Sequence, residues 1–290
     1  MTIWELDFYS RPILDDNQKK LWEVLICEAP TSIKQGDGDL FRYSEFCTNT
    51  EVNSITLKKA IEKAIAESGV SPSKIRFFRR QMNNMIVKSC EDLGIPVFPS
   101  RHTYYLNKWL EQRTKSFYPE QDGYDEKAVP SSAVQYPLTN AIDLPDALKG
   151  DRKDKWALVS LTGEQLLEMN EWEIGFQEAF PLDLADIDKE TVIPGLIVFS
   201  SRALPLAAWM SGLELGYLRL EQERFPRICL ETGVSESWVL ANLTDKKTVA
   251  EGEGFESTKQ KANGVHFLAI QSPTQSESFA AFWLLKDQGL

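Results

Sequence analysis

The first residues of the chain alternate between apolar and polar side chains. In the stretch WELDFY, residues 4–9, every second residue is apolar, which is typical of a strand with one buried face. The polar stretch LDDNQKK, residues 14–20, predicts a turn, and LWEVLIC, residues 21–27, predicts a more buried second strand. FRYSEFC, residues 41–47, predicts a third strand, so the chain begins as an antiparallel hairpin followed by another strand.

Helical spacing of apolar residues begins after this hairpin. From Ile55 to Ile65 the apolar residues fall on one helical face, with Asn53 or Ser54 available as the N-cap and Gly69 ending the helix. The further elements predicted in this half are a strand KIRFF (74–78), a helix over 80–93 ended by Gly94, an edge strand IPVFPS (95–100) and a helix over 103–117.

The hydrophobic period disappears in residues 119–155, which contain Pro119, Pro130, Pro137 and Pro145, and we interpret this segment as a linker or docking loop. WALVSL then predicts the first strand of a second domain. The segment 203–223 predicts the longest helix, and four strands complete the chain: RICLETG (227–233), SWVLANL (237–243), HFLAIQS (266–272) and FAAFWLLKD (279–287). We therefore expect an α/β (α+β) fold with two domains, residues 1–118 and 156–290, each a mixed sheet flanked by helices.

Composition excludes several classes of protein. With 42% hydrophobic and 26% charged residues the chain resembles ordinary globular proteins, and it contains no apolar run long enough to cross a membrane. Its first residues lack the pattern of a secretory signal. The four cysteines are scattered without paired spacing, which predicts free thiols in a reducing cytoplasm; they are Cys27, Cys47, Cys90 and Cys229.

The net charge of −11 is unevenly distributed along the chain. Residues 1–118 contain 17 Lys and Arg against 15 Asp and Glu, a net charge of +2. Residues 119–290 contain 15 against 28, a net charge of −13. Within 74–115 there are nine basic and three acidic residues, so a polyanion would be attracted to this segment and repelled by the second half.

Signatures of catalysis are weak, so we predict a non-enzyme without metal or cofactor. His102 and His266 each lack a nearby second ligand in the sequence, and no zinc-protease, serine-hydrolase or phosphate-loop motif is present. The glycines of EGEGFE, residues 251–256, predict a surface turn, because three glutamates there would repel a phosphate. GDGD, residues 36–39, lacks the other ligands of a calcium loop and also predicts a turn.

One carboxylate arrangement leaves a nuclease as a minor alternative. Asp15 or Asp16 followed by Glu23 on the next strand resembles the layout of metal-dependent nucleases, in which carboxylates hold a cation that activates water. Leu25 stands where such an enzyme needs a lysine. A hairpin with solvated acids is therefore favoured, and a nuclease-like scaffold without catalysis stays open.

The basic segment is the stronger signal. On the helix predicted over 80–93, Arg80, Asn84 and Lys88 are spaced by four and share a face, while cationic and aromatic residues precede and follow it. Such side chains can contact phosphates, read base edges and stack on unpaired bases, although charged runs often only solvate a helix face. The candidate RNA-binding residues are Arg76, Arg79, Arg80, Asn84, Lys88, Arg101, Tyr104, Lys108 and Arg113.

Several stretches together resemble the Tab/Atab family of RNA-binding proteins. They are WELDFYSRPILDDNQKKLWEVLIC, NSITLKKAI, KIRFFRRQMNNMIVKSCEDLGIPVFPSR and WLL at 283–285, so the resemblance covers nearly the whole chain. It implies a cytoplasmic, cyanobacterial or processed chloroplast factor, with a further expectation of peripheral association with thylakoid membranes. It also implies a role in translating photosystem mRNAs, chiefly those of photosystem I reaction-centre subunits, and in photosystem biogenesis.

The family signature WLL falls on Trp283, Leu284 and Leu285, which could equally form a buried terminal strand. The leading alternative function is a non-catalytic assembly factor whose acidic C-terminal domain binds a protein partner. A contiguous basic surface would favour RNA, and a large exposed apolar patch would favour a protein.

Overall fold

In a computed structural model the chain forms two compact units, residues 1–30 with 37–135 and residues 31–36 with 136–290. The structure describes residues 2–36, 38, 40–128, 139–150, 154–222, 225–274 and 278–289. Helices and strands are present in both units, which confirms the α+β fold class. No helix among these residues is both long and apolar enough to cross a membrane.

The first unit is a five-stranded mixed sheet with the strand order β3-β2-β1-β4-β5. β1, β2 and β3 pair antiparallel, whereas β1, β4 and β5 run parallel. Its elements are β1 (Ile3–Leu14), β2 (Lys20–Glu28), β3 (Arg42–Cys47), α1 (Ser54–Ser68), β4 (Lys74–Phe77), α2 (Asn83–Glu91), β5 (Val97–Pro99) and α3 (Tyr104–Gln112), which continues as one π-helical turn, Arg113–Phe117.

The period-two pattern of β1 is confirmed on one face of this sheet. Trp4, Leu6 and Phe8 are buried in a core with β2, β4, α1 and α2. Of the two candidate caps of α1, Asn53 is the one used: its side chain accepts a hydrogen bond from the Thr56 N–H at 2.9 Å. The polar face of β1 was expected to be solvated, and that expectation is wrong, because Glu5 and Asp7 are also buried.

The second unit contains a five-stranded sheet, β7-β9-β13-β14-β8, and a four-stranded sheet, β10-β11-β12-β6. Its elements are β6 (Ile142–Asp143), β7 (Lys155–Thr162), α4 (Gly163–Leu167), β8 (Glu173–Glu178), β9 (Val192–Phe199), α5 (Ala203–Ser211), β10 (Leu215–Glu221), β11 (Arg227–Thr232), β12 (Glu236–Asn242), α6 (Lys246–Lys261), β13 (Val265–Gln271) and β14 (Ser278–Lys286).

The prediction of one long helix over 203–223 is wrong. α5 ends at Ser211, and β10 follows and pairs antiparallel with β11. The first four residues of β10, Leu215–Leu218, are buried on both faces of the strand. A run that is apolar on both faces has no period of two, and periodicity alone cannot separate it from a buried helix.

The predicted surface turn EGEGFE is also wrong, because these residues lie inside α6, which has 16 residues and is the longest helix in the described part of the chain. Gly252 is buried there, and a Cβ at this position would lie 2.7 Å from a methyl carbon of Leu243. The glycine therefore permits close packing of the helix and does not form a turn.

The WLL signature lies in β14 as a buried strand. Trp283 and Leu285 belong to the core of the second unit, and Leu284 is fully buried on the other face of the strand. The sequence left open whether WLL is a contact surface or a buried strand, and in the structure it is a buried strand.

Residues in the segment 119–155 form backbone contacts with strands of each unit. The Asp125 N–H donates to the Pro12 carbonyl at 3.0 Å, and the Leu14 N–H donates to the Gly123 carbonyl at 2.8 Å. At its other end, Ile142 and Asp143 pair with β12. Residues 129–138 and 151–153 of this segment lie outside the described residues, and the domain bounds inferred from sequence remain a proposal.

His266 on β13 is held neutral inside the second unit. Its Nε2 accepts a hydrogen bond from the Leu218 N–H at 2.8 Å, and its Nδ1 lies 2.8 Å from the Gly264 carbonyl, to which it donates. Burial, with the nearby Lys259 ammonium, lowers the pKa of His266 from 6.5 to about 3. Between these two values the unfolded chain binds a proton that the folded unit does not, so the free energy of unfolding falls as the pH falls.

We expect the variant His266→Gln to be less sensitive to acid than the unchanged protein. A glutamine carbonyl can accept the Leu218 N–H bond but cannot be protonated in this range. Between pH 7.5 and pH 5 the unchanged protein should lose about 2 kcal/mol more stability than the variant. Urea unfolding of both proteins at the two pH values measures this difference, and equal losses would contradict the assignment.

Candidate nucleic-acid interface

The structure divides the candidate RNA-binding residues into an inner and an outer group. The outer residues are Arg80, Asn84 and Lys88, which are exposed, and Lys108, which is half-buried. The inner residues are buried, and they are Arg76, Arg79, Arg101, Tyr104 and Arg113.

Strand alternation explains why the inner residues are buried. Arg76 lies between Ile75 and Phe77 on β4, and those two face the core beneath α1 and α2. Arg76 therefore points to the opposite face of the sheet, where α3 contacts β1 and β2. Arg76 is buried although it is cationic, because α3 also covers this second face of the sheet.

Arg79 and Arg113 belong to a buried ionic network, here called the arginine cluster, which consists of Asp7, Arg11, Glu23, Arg79, Arg113 and Tyr118. The Arg11 guanidinium lies between the two carboxylates, with Nη2 2.9 Å from Asp7 and Nε 2.9 Å from Glu23. Nε of Arg79 donates to the other Asp7 oxygen at 2.6 Å. Glu23 also accepts from Arg113 and, at 2.6 Å, from the Tyr118 hydroxyl.

Aromatic rings contact the guanidinium groups of Arg79 and Arg113. Arg79 lies over the Tyr9 ring at 3.9 Å from its centroid, and Arg113 lies over the Phe117 ring at 3.8 Å. In the sequence Tyr9 lies between Asp7 and Arg11, and Phe117 directly precedes Tyr118. Cation–π contacts of this kind are stronger where water is excluded.

The arginine cluster contains three guanidinium groups and two carboxylates. Burial by itself raises the pKa of Asp7, but attraction and hydrogen bonds from Arg79 and Arg11 outweigh it, and the pKa of Asp7 is lowered from 3.8. Burial likewise lowers the pKa of Arg11, and the neighbouring Asp7, Tyr118 and Glu23 raise it by more. Both groups are therefore charged in the folded protein, and removing one partner leaves the other charge without full compensation.

Glu5 on β1 holds α3 against the same face of the sheet. Its carboxylate accepts a hydrogen bond from the Leu106 N–H at 2.6 Å, in the first turn of α3, where backbone N–H groups have no helical partner. This role was missed from sequence. A usable signal was present, because Glu5, Asp7 and Glu23 occupy strand positions that face the same side of the sheet.

The nuclease alternative loses its proposed ligands in the structure. One Asp15 oxygen accepts the N–H groups of Asn17 and Lys19 within the hairpin turn, and Asp16 is exposed. Glu23 is bound by the cluster, and Leu25 is fully buried. Among the described residues no group of three or more His, Cys, Asp and Glu side chains could hold a metal; the aspartates of the GDGD turn, Asp37 and Asp39, lie outside them.

Three of the outer residues, Arg80, Asn84 and Lys88, lie on the α1–α2 layer, whereas Lys108 lies on α3. Arg80 is in the short turn that precedes α2, and Lys88 on α2 is exposed and lies 2.5 Å from Asp92. The Ser89 hydroxyl of α2 donates to the Ser54 carbonyl at the start of α1 at 3.0 Å. The exposed Lys59 on α1 is therefore in the same layer, although sequence reasoning did not select it as a site residue.

We expect Arg79→Ala to destabilise the protein and Arg80→Ala to leave its stability nearly unchanged. Arg79 is 5% exposed, and its loss would leave Asp7 with Arg11 alone, a change that typically costs about 3 kcal/mol or more. The neighbouring Arg80 is exposed, so its replacement should stay within about 0.5 kcal/mol. Urea unfolding of the two variants measures the difference, and equal stabilities would show that the Asp7–Arg79 contact does not hold the fold.

Comparison with known proteins identifies the family. The family described as "RNA-binding protein Tab2/Atab2 N terminal" matches residues 3–113, and the Tab2/Atab2 C-terminal domain matches residues 131–286. "Protein TAB2 homolog, chloroplastic" of Arabidopsis thaliana is 39% identical over 294 residues, which span 98% of this chain and 74% of the relative. The protein of the same description from Zea mays is 38% identical over 293 residues, spanning 98% of this chain and 71% of the relative. No solved structure matches. With both domain families and two relatives that match 98% of this chain in agreement, the chain belongs to the Tab2/Atab2 family of RNA-binding proteins.

Proposed function

We propose that this protein binds mRNAs of photosystem subunits, chiefly those of photosystem I reaction centres, and promotes their translation without catalysis. Membership of an RNA-binding family across both units is the observation that supports this proposal. Two chloroplastic relatives are consistent with a role in photosynthesis. Peripheral association with thylakoid membranes is part of the same proposal.

The outer residues are the part of the candidate set that can contact RNA directly. Arg80 and Lys88 would supply phosphate contacts, and the amide of Asn84 between them could bond to a base or a sugar. Lys59 on α1 is a further exposed cation in the same layer. The inner arginines would act indirectly, by holding the sheet that carries this surface.

We expect the double variant Arg80→Glu/Lys88→Glu to bind RNA more weakly for all sequences. Each lost phosphate contact removes about 0.7 from the slope of log affinity against log salt concentration for a single strand, so two lost contacts should flatten it by about 1.4. Filter binding of a labelled single-stranded RNA across a salt series measures the affinity and the slope.

The matched control is Lys247→Glu/Lys261→Glu, which reverses two exposed lysines on α6 in the second unit. It makes the same change in total charge at a different place. Equal loss of affinity in both double variants would mean that only net charge matters. Unchanged affinity and slope in the first variant would remove the α1–α2 layer as the RNA surface.

The absence of catalysis also has a direct test. We expect the protein to leave labelled single-stranded RNA and DNA intact in the presence of Mg²⁺ or Mn²⁺, because the Glu23 carboxylate is bound by two arginines and a tyrosine. Gel analysis of the labelled strands is the measurement. Cleavage that is absent in a Glu23→Gln variant with retained fold would establish the nuclease alternative.

The identity of the transcripts is tested in cells. Crosslinking followed by sequencing of the attached RNA should recover photosystem mRNAs, with photosystem I reaction-centre transcripts among the most enriched. Recovery should fall with Arg80→Glu/Lys88→Glu and persist with the α6 control. Enrichment of unrelated RNAs would retain RNA binding and overturn the photosystem role.

A further inference from the structure

α5 in the second unit is a helix without charge on any side. Its sequence, ALPLAAWMS, contains one small polar residue, Ser211, at its end. Four of its residues lie in the core of the unit: Ala203, Leu206, Ala207 and Met210. Helices that are apolar all round are normally buried all round.

The opposite side of α5 is uncovered in the described structure. Leu204 is 63% exposed, and Pro205 and Ala208 are also exposed. Leu204 and Ala208 are four residues apart and therefore share one helical face. A single exposed leucine needs no explanation, but a helix face with no polar side chain is typical of an interaction site.

A groove of about 480 Å³ lies beside the first turn of α5. Leu204 and Pro205 form one side, and Ile174 on β8 and Phe279 on β14 contribute further apolar surface. β8 is an edge strand of its sheet. Among the described residues that line the groove, Glu173 is the one with an ionisable side chain, and it is exposed.

We propose that the exposed face of α5 and this groove dock a protein segment that carries apolar side chains flanked by Lys or Arg. Residues 136–290 contain 14 Lys and Arg against 24 Asp and Glu, a net charge of −10. This charge repels RNA, anionic lipid and a second copy of the same unit, whereas it attracts a basic protein. The apolar face supplies the buried contact, and Glu173 at the groove supplies a partner for a cationic side chain.

Selection of a random peptide library displayed on phage, with the full-length chain as bait, tests this proposal. The expected peptides contain Leu, Phe or Trp together with Lys or Arg. A synthetic peptide of the enriched sequence should bind Ala208→Arg about tenfold or more weakly than the unchanged protein, because the arginine blocks the apolar face and repels the peptide. Glu173→Gln should weaken binding less and reduce its salt dependence.

Ala66→Arg on α1 is the matched control, because Ala66 is also an exposed helical alanine but lies in the first unit. It should bind the peptide like the unchanged protein. Urea unfolding of both arginine variants should show no large loss of stability, which separates contact loss from unfolding.

Three results would overturn the proposal. The first is that selection enriches no peptide, enriches acidic peptides, or enriches peptides that bind Ala208→Arg as well as the unchanged protein. The second is a dimer in sedimentation that Ala208→Arg abolishes, which would make a second copy the occupant. The third is flotation with neutral or anionic lipid vesicles that the same variant abolishes, which would make lipid the occupant.

Discussion

The guanidinium of Arg11 between Asp7 and Glu23 is the contact on which the first unit depends. It joins two neighbouring strands on a sheet face that would otherwise bury two carboxylates, and Arg79 and Arg113 join the end of β4 and the end of α3 to the same pair. A buried ion pair adds little stability relative to apolar side chains, but its members cannot be removed singly without leaving a buried charge. We therefore expect the cluster to specify which segments meet on this face more than it contributes to overall stability.

This constraint divides the basic segment into two roles. Arg79 and Arg80 are adjacent in sequence, yet one is bonded to Asp7 inside the unit and the other is exposed at the start of α2. The excess of cationic residues in an acidic protein is thus partly internal. The exposed part of the candidate set is smaller than composition suggests, and Arg80, Asn84 and Lys88 of that part lie on the α1–α2 layer.

The second unit differs in both charge and surface. Its core includes Trp283 and Leu285 of the family signature, so this signature acts through packing in the described structure. Its acidic charge and the uncharged face of α5 favour a basic, apolar protein segment over a nucleic acid. RNA binding by the first unit and partner binding by the second are compatible in one molecule, and neither proposal depends on the other.

The sequence alone determined the elements whose signals are local. The hairpin of β1 and β2, Asn53 as one of two candidate caps, the end of α1 at Gly69 and the Tab2/Atab2 resemblance were all recognised from short stretches of residues. Tertiary structure decided which side chains are buried and which segments pair, because local signals carry no information on contacts between distant residues. Only packing of α3 on the second face of the sheet buries Asp7 and Arg79, because alternation along one strand does not reveal whether its polar face is covered. Pairing with β11 separates α5 from β10, and the close approach of Leu243 explains why a glycine occupies position 252 within α6. Both depend on contacts that local spacing does not show.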